Sequence, residues 1–516
     1  METSLERINP FGKYQKLMII YIGIASTISS MTIYSTIFTA ASPAFTCRPF
    51  NQTNLSDLII DDSEQVCNIF LNISLSSNYS CTFDHKFYGD TIVTEWNLIC
   101  NRQFLVGLTQ TFYMLGSFGS IFSGYFGDKY GRKRATFIFL SLLSAFVILE
   151  SVLMIDAVNI GTNAKYIIYS ISQALIGTFV NCLFSSAYVL LLETTTHKYH
   201  TLFSNAISFN YVIGELIILL IAYFVRSWKT INEITAAFIL VVTILFYLLA
   251  DESPKWAASQ RKFKEAMIVM RKIARLNRKE FNENEMEKNL AREYTGELNQ
   301  AKIVPLRNET LIDKNRSISF KNSLIAILTP KSRLVKTFLT SYVWFASHLL
   351  YFGIALGIST VDAVNPYILF VFQSIAEAVG YWICLINIRF GQRKMNIFYL
   401  LSAAIVCLVY SLLPRNKDLT SEKKVLEDAI LIISLISIGK CMISASFNTL
   451  YVYTSELYET NVRNFALLFC SCIGSTGSLI APQINLLATV WKPLPFLIFS
   501  VISFIASICV FILPET

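Results

Sequence analysis

Charge is scarce in this sequence. Asp, Glu, Lys and Arg make up 15% of its 516 residues, where a soluble chain carries about a quarter. That shortage argues for lipid as the main solvent. Histidine is scarcer still, with four residues. The chain has no HExxH, GxSxG or Walker A motif and no paired metal ligands. The residues for metal-dependent hydrolysis, serine hydrolysis and ATP-driven work are therefore missing, and neither enzymatic activity nor a cofactor is expected. Groove-reading and base-stacking motifs are also absent, so the net charge of +8 does not mark a nucleic-acid surface.

Apolar length is what the sequence has in abundance. Hydrophobic residues make up 54% and the mean hydropathy is +0.51. Crossing a bilayer takes about 20 mostly apolar residues. Such windows lie near 17–40, 103–125, 135–155, 166–192, 204–225, 232–250, 334–357, 366–388, 396–413, 429–453, 465–489 and 493–513. Twelve spans predict an all-α membrane protein. The first window is too long for a cleavable signal peptide and lacks a small-residue cleavage site.

Most Lys and Arg follow the even-numbered windows, as in "DKYGRKR" and "RFGQRK". The positive-inside bias makes that side cytoplasmic, and with it both termini. The opposite side carries a polar loop, 43–101, with Cys47, Cys67, Cys81 and Cys100 and with sequons at Asn51, Asn54, Asn72 and Asn78. Four cysteines in a non-cytosolic loop read as two disulfides, with three pairings open. The sequons read as a glycosylated surface, whereas those at Asn308 and Asn315 fall on the cytoplasmic side and should be silent. The other seven cysteines sit in or beside apolar windows and read as small packing residues.

Residues 1–16 are a cytoplasmic N-terminus, 17–250 a first six-helix bundle, 251–333 a charged cytoplasmic linker and 334–516 a second six-helix bundle. The linker holds an amphipathic stretch with Phe263, Met267, Met270 and Ala274 on one face, suited to the inner leaflet or to the bundle. The halves echo each other. "DKYGRK" around Gly131 has a degraded partner around Gly391, an offset of 391 − 131 = 260, and Glu193 corresponds to Glu456, an offset of 263 that also pairs His200 with Arg463. A duplicated six-helix unit places a substrate site between its copies.

Ionisable residues within spans are costly and by default functional. Glu215, Glu377 and Lys440 stand inside windows five, eight and ten. Each reads as a ligand for substrate charge or as half of an internal ion pair. Trp344, Tyr351 and Phe352 in "VWFASHLLYFG" offer cation–π faces, or simple packing. At the cytoplasmic ends, Asp128, Gly131, Arg132, Glu193, Glu456 and Arg463 are candidates for an inner gate in which carboxylate–arginine pairs join the halves, close and break.

The run Gly124-x-x-x-Asp128-Lys129-x-Gly131-Arg132-Lys133 resembles the loop signature of the major facilitator superfamily. Within it, "DTIVTEWNLIC", "DESPKW", "TPKSRLVKTF", "YVWFASHLLYFG" and "SELYETNVRN" resemble the organic cation, anion and zwitterion transporter family, in order and over nearly the whole chain. The resemblance implies plasma-membrane transport of small organic ions by alternating access without ATP. It also implies that Glu377 occupies an acidic family position and Lys440 an arginine position, with Tyr351 as a substrate-facing aromatic. Tyr113, Tyr381 and Asn448 fall at pocket-lining positions.

Departures from the family pattern bear on the substrate. Ser475 stands where cation carriers have Asp and anion or carnitine carriers Arg. Gln173 replaces an arginine common in the superfamily, His200 replaces an Arg, and Tyr381 replaces a lysine of several anion carriers. Two buried carboxylates against one lysine tilt the expectation toward cations or zwitterions, with organic cations first. An organic-anion or carnitine-like zwitterion carrier is the alternative, and a receptor-like member that binds without transporting is the alternative of another class. The expected partners are a small organic ion and the bilayer, with oligomeric state open.

Overall fold

A computed structural model describes residues 2–49, 79–154, 161–281, 283, 327–329, 331–361, 364–384, 390–413, 422–458 and 463–515. The sequons, Cys67 and Ile388 lie outside the described residues.

The apolar windows form helices that end within a few residues of the predicted limits. They are α1 Lys13–Thr39, then α2 in two pieces, Gln103–Leu115 and Ser120–Tyr130, followed by α3 Arg132–Leu153, α4 Thr162–Glu193, α5 His200–Val225 and α6 Trp228–Leu249. The second half holds α7 Lys331–Leu356, α8 Pro366–Ile383, α9 Gln392–Leu412, α10 Glu422–Leu457, α11 Arg463–Leu486 and α12 Leu494–Ile512. Eleven of these are long and apolar enough to cross a membrane unbroken. The twelfth crossing is α2, whose pieces join through a 3-10 turn, Gly116–Gly119.

Packing explains that turn. A side chain on Gly116 would strike the backbone of Gly177 and Thr178 in α4, and one on Gly177 would strike the Tyr113 carbonyl. Glycines on both faces let two backbones touch, the usual way for membrane helices to associate in the absence of a hydrophobic driving force.

Local signals set other boundaries. Asn365 caps α8 by accepting from the Tyr367 N–H, with Pro366 at the first helical position. Ser253 caps the short helix Pro254–Ser259 in the same way.

Within the first half α1 packs on α5 and α3 on α4, and within the second α7 packs on α11 and α9 on α12. The halves meet mainly through α5 with α8 and α2 with α11. Outward faces are apolar and exposed, as at Val241, Ile244, Leu245 and Leu248 of α6, which suits a lipid surround.

In the cysteine-bearing loop, β1 (Phe45–Pro49) pairs antiparallel with β2 (Tyr79–Phe83), with Cys47 opposite Cys81. The end of the loop is pinned to the first half by Trp96 against Tyr169 and Trp228 and by Trp228 Nε1 donating to Glu95 at 2.9 Å.

The amphipathic stretch of the linker is a helix, Phe263–Leu276, that lies against the bundle. Met270 and Ala274 are fully buried, and Phe263 and Met267 pack half-buried on the same core. Asn277, just beyond it, accepts from the Tyr14 N–H at 3.0 Å and donates to the Ile8 and Asn9 carbonyls. The linker helix is thereby tied to the N-terminal segment.

Candidate functional site

One helical face positions the centre of the site. Phe370, Gln373, Ser374, Glu377 and Tyr381 recur at three- and four-residue spacing on α8 and are buried, while Ile368, Phe372, Ile375, Val379 and Trp382 form its exposed apolar face. The buried face meets α1 and α5 of the other half, so its polar groups stand between the two bundles.

There Glu377 is fully buried, and its Oε2 lies 2.7 Å from the Lys440 ammonium, itself 2% exposed. Its Oε1 accepts from the hydroxyls of Tyr351 and Tyr381, each at 2.6 Å. These are the short distances of charge-assisted bonds. The ammonium stands 3.5 Å from the centroid of the Tyr351 ring and donates to the Tyr34 hydroxyl at 3.4 Å. Tyr34 packs edge-on against Phe370 and Tyr211, and Tyr351 stacks on Phe447 at 5.1 Å. The result is an aromatic box around an alkylammonium, with one carboxylate as its anchor. A burial this deep is a poor source of stability, because desolvating both charges offsets their attraction.

Glu215 on α5 reaches the same region. It is 1% exposed, its Oε1 has no hydrogen-bond partner, and it lies in the field of Glu377 and Lys440 beside Ser374 and Tyr34. Glu377, Glu215, Lys440, Tyr351 and Tyr381 therefore form one constellation.

The remaining candidates surround it or stand apart. Asn448 donates to Asn205 at 3.1 Å across the halves. Trp344 donates to Thr454 at 2.9 Å and packs on Phe447 and Tyr451. Phe352 packs edge-on against Tyr351 at 5.0 Å. Tyr113 shares a 3.1 Å hydrogen bond with Thr32, and Ser475 donates to the Ser471 carbonyl of its own helix.

The site is sealed toward the cysteine-bearing loop. Tyr367 stacks on Phe38 at 5.5 Å and donates to the Phe87 carbonyl at 3.0 Å, and Gln483 donates to Thr111 at 3.0 Å. Each contact joins the halves.

At the opposite end Arg132 meets Asp128 at 2.7 Å and Glu193 at 3.2 Å, all within the first half. Asp128 is 72% exposed. Glu456 has a partner of its own, and the Arg463 side chain lies outside the described residues. Gly131 needs its glycine, with φ at +105° and the Glu252 carboxylate and Trp256 ring packed where a side chain would stand. Glu252 accepts from the Lys133 N–H at 3.0 Å, closing the start of α3. Burial pushes its carboxyl up from the ordinary carboxylate range, against the pull of those backbone donors.

The second half repeats the device. Gly391 has φ at +90°, with Glu515 against it and paired to Arg393 at 3.6 Å. The carboxylates are offset by 515 − 252 = 263, matching the repeat.

Several of these residues escape sequence reasoning. Tyr34 and Tyr211 look like ordinary aromatics of apolar spans, although the Ser/Thr run "STISSMTIYST" in α1 signals a span enclosed by protein. Glu150, in "VILESVL", is a further intramembrane carboxylate and should have been found by its charge alone. It is 2% exposed and accepts from Gln173 at 3.1 Å, from Asn232 at 3.1 Å and from Ser172. The neutral Gln173 thus has a definite function where an arginine was expected: with two other neutral donors it satisfies a buried carboxylate.

Comparison with known proteins agrees with this architecture. The family model described as Major Facilitator Superfamily matches residues 91–482. An organic cation transporter-like protein of Drosophila melanogaster is 26% identical over 539 residues, covering 100% of this chain and 90% of that protein. Solute carrier family 22 member 3 of Mus musculus is 26% identical over 442 residues, 85% of this chain and 72% of that protein. Among solved structures, the inward-open xylose transporter XylE from E. coli superimposes with a TM-score of 0.62 at 13% identity, covering 96% of this chain and 97% of that one. The chain therefore belongs to the major facilitator superfamily, as a multi-pass membrane transporter whose relatives are named as organic cation transporters and solute carriers rather than enzymes.

Proposed function

We propose that this transporter carries small organic cations across the plasma membrane by alternating access, without ATP, and that Glu377 is the main counter-charge for the substrate. One observation supports the reading above others. The aromatic box already holds an alkylammonium, that of Lys440, over the Tyr351 ring and against Glu377. A substrate ammonium presents the same chemistry and competes with Lys440 for the same carboxylate and ring face. Drosophila relatives named for organic cation transport point the same way.

An anionic substrate is harder to accommodate. It would have to draw Lys440 away from Glu377, leaving two buried carboxylates without a cation. A zwitterion engages both charges and is the second reading, favoured by the Glu377–Lys440 pair standing together. Competition for uptake in transfected cells separates these readings. Excess unlabelled tetraethylammonium is expected to suppress labelled tetraethylammonium uptake, with carnitine and a dicarboxylate ineffective. Suppression by the dicarboxylate alone overturns the cation reading.

Positive-inside charge supports cytoplasmic termini. The loop between α1 and α2 then faces outward, where glycans on its sequons and two disulfides among its four cysteines are proposed. Cys47 stands opposite Cys81, neither Cys81 nor Cys100 is free, and the seven cysteines outside the loop are free thiols.

The inner gate is proposed to work through the cytoplasmic charges, most of it in the first copy of the repeat. Asp128, with its exposed carboxylate paired to Arg132 of its own half, can engage the other half when the inner side closes. Asp128→Asn is expected to slow turnover about threefold, the scale of one exposed ion pair, with surface amount unchanged. Substitutions at Ile388, its echo, should do less. Initial rates of uptake, normalised to surface protein, provide the check.

A further inference from the structure

Glu215 stands in the sealed site without a cation of its own. Its carboxylate is buried on α5 and its Oε1 has no hydrogen-bond partner. The titratable and polar groups facing it among the described residues are Glu377, Ser374 and Tyr381 on α8, Lys440 on α10, Tyr34 on α1 and Tyr211 on α5 itself. Lys440 is the only cation among them, and its ammonium is committed to Glu377 at 2.7 Å. Two carboxylates against one ammonium leave a net charge of −1 if both acids are ionised. An ionised carboxylate without a counter-ion is not tolerated at such depth, so a proton or a cation must accompany it.

We propose that Glu215 binds a proton and gives it up when the substrate's positive charge arrives, so that the carrier exchanges one organic cation for one proton. The proposal rests on the organic-cation reading. In the sealed state Glu377 is paired with Lys440 and Glu215 is a neutral acid, so the set sums to zero. When the carrier opens to one side, an entering substrate ammonium takes the Glu377 carboxylate and the Tyr351 face. The displaced Lys440 turns to Glu215, whose O–H bond breaks and whose proton leaves to water on that side. Two ion pairs then stand in the site, substrate with Glu377 and Lys440 with Glu215, and the sum is again zero. After reorientation the substrate leaves, Glu215 takes a proton from the opposite side, and Lys440 returns to Glu377. The site never has to bury an uncompensated charge, and the carrier cannot complete a cycle without moving a proton against each cation.

The experiment uses the purified full chain in proteoliposomes, with the membrane potential clamped by potassium and valinomycin, labelled tetraethylammonium outside and a pH dye inside. With the lumen more acidic by one unit, one-for-one exchange supports roughly tenfold accumulation. Addition of tetraethylammonium should also make the lumen more alkaline. Glu215→Gln should remove both the dependence on the pH gradient and the lumenal signal, while Glu215→Asp should retain a weakened form of each. Saturable uptake in the wild type that is indifferent to the pH gradient, or that follows a sodium gradient instead, overturns the proton exchange and leaves the cation reading standing. The same holds if Glu215→Gln keeps its pH dependence. Absence of tetraethylammonium uptake under every gradient overturns the cation reading itself, and the exchange with it.

Discussion

Glu377→Gln is expected to reduce saturable tetraethylammonium uptake by on the order of 100-fold, the scale set by removing one partner of a buried charge pair. Three losses coincide. The substrate loses its counter-charge, the Tyr351 and Tyr381 hydroxyls lose the carboxylate that orients them at 2.6 Å, and Lys440, still buried, loses the carboxylate that holds it at 2.7 Å. Only the last is a folding defect, and it can be separated from the others. The double variant Glu377→Gln/Lys440→Met replaces the pair with uncharged side chains of similar size, which buried pairs often tolerate. It is expected to reach the surface in near-normal amount and still not transport. Uptake normalised to surface protein reads both variants. Wild-type uptake in Glu377→Gln at normal surface amount would remove Glu377 from the substrate's path.

Gly177→Val is expected to eliminate folded protein rather than to tune transport. The side chain would have to occupy the position of the Tyr113 carbonyl, and Gly116 of α2 lies against the same stretch of α4. Backbone on both sides leaves no flexible side chain to yield, so α2 and α4 would separate at their closest approach. The cost should fall beyond about 4 kcal/mol, the exceptional end of single substitutions. Surface amount and monodispersity in detergent are the measurements. Gly124→Ala is the control, because nothing lies within 4 Å of the position its side chain would take, and it should behave as wild type. Normal amounts of folded Gly177→Val would mean that the two helices do not pack as described.

The parts of the fold that were legible in the sequence are those governed by hydropathy alone. Each span ends close to its apolar window because lipid sets the length of a helix and loop charge its ends. The break in α2 was not legible, since it comes from glycines on two helices, Gly116 and Gly177, meeting 177 − 116 = 61 residues apart in the chain, and a window sees only one of them. Glu215, Glu377 and Lys440 stood out because charge within a span is rare. Their convergence did not, because three different helices supply them and no spacing in the sequence encodes which helices face one another. Tyr34 was hidden for the opposite reason: a tyrosine in an apolar span is common, and only the meeting of the two halves makes it part of a cation box. The glycine turns at Gly131 and Gly391 were visible as an echo, but the carboxylates that close them, Glu252 and Glu515, lie more than a hundred residues away.

The central claim is that the two halves enclose a site that binds a small organic cation and moves it. Its most direct test is accumulation of labelled tetraethylammonium by proteoliposomes that contain only the purified protein. Saturable uptake into the lumen, absent from protein-free vesicles and lost in the Glu377→Gln/Lys440→Met variant, is the predicted result. Specific binding of tetraethylammonium to the protein with no lumenal accumulation under any gradient would contradict the account and leave a receptor that has kept the site without the transport.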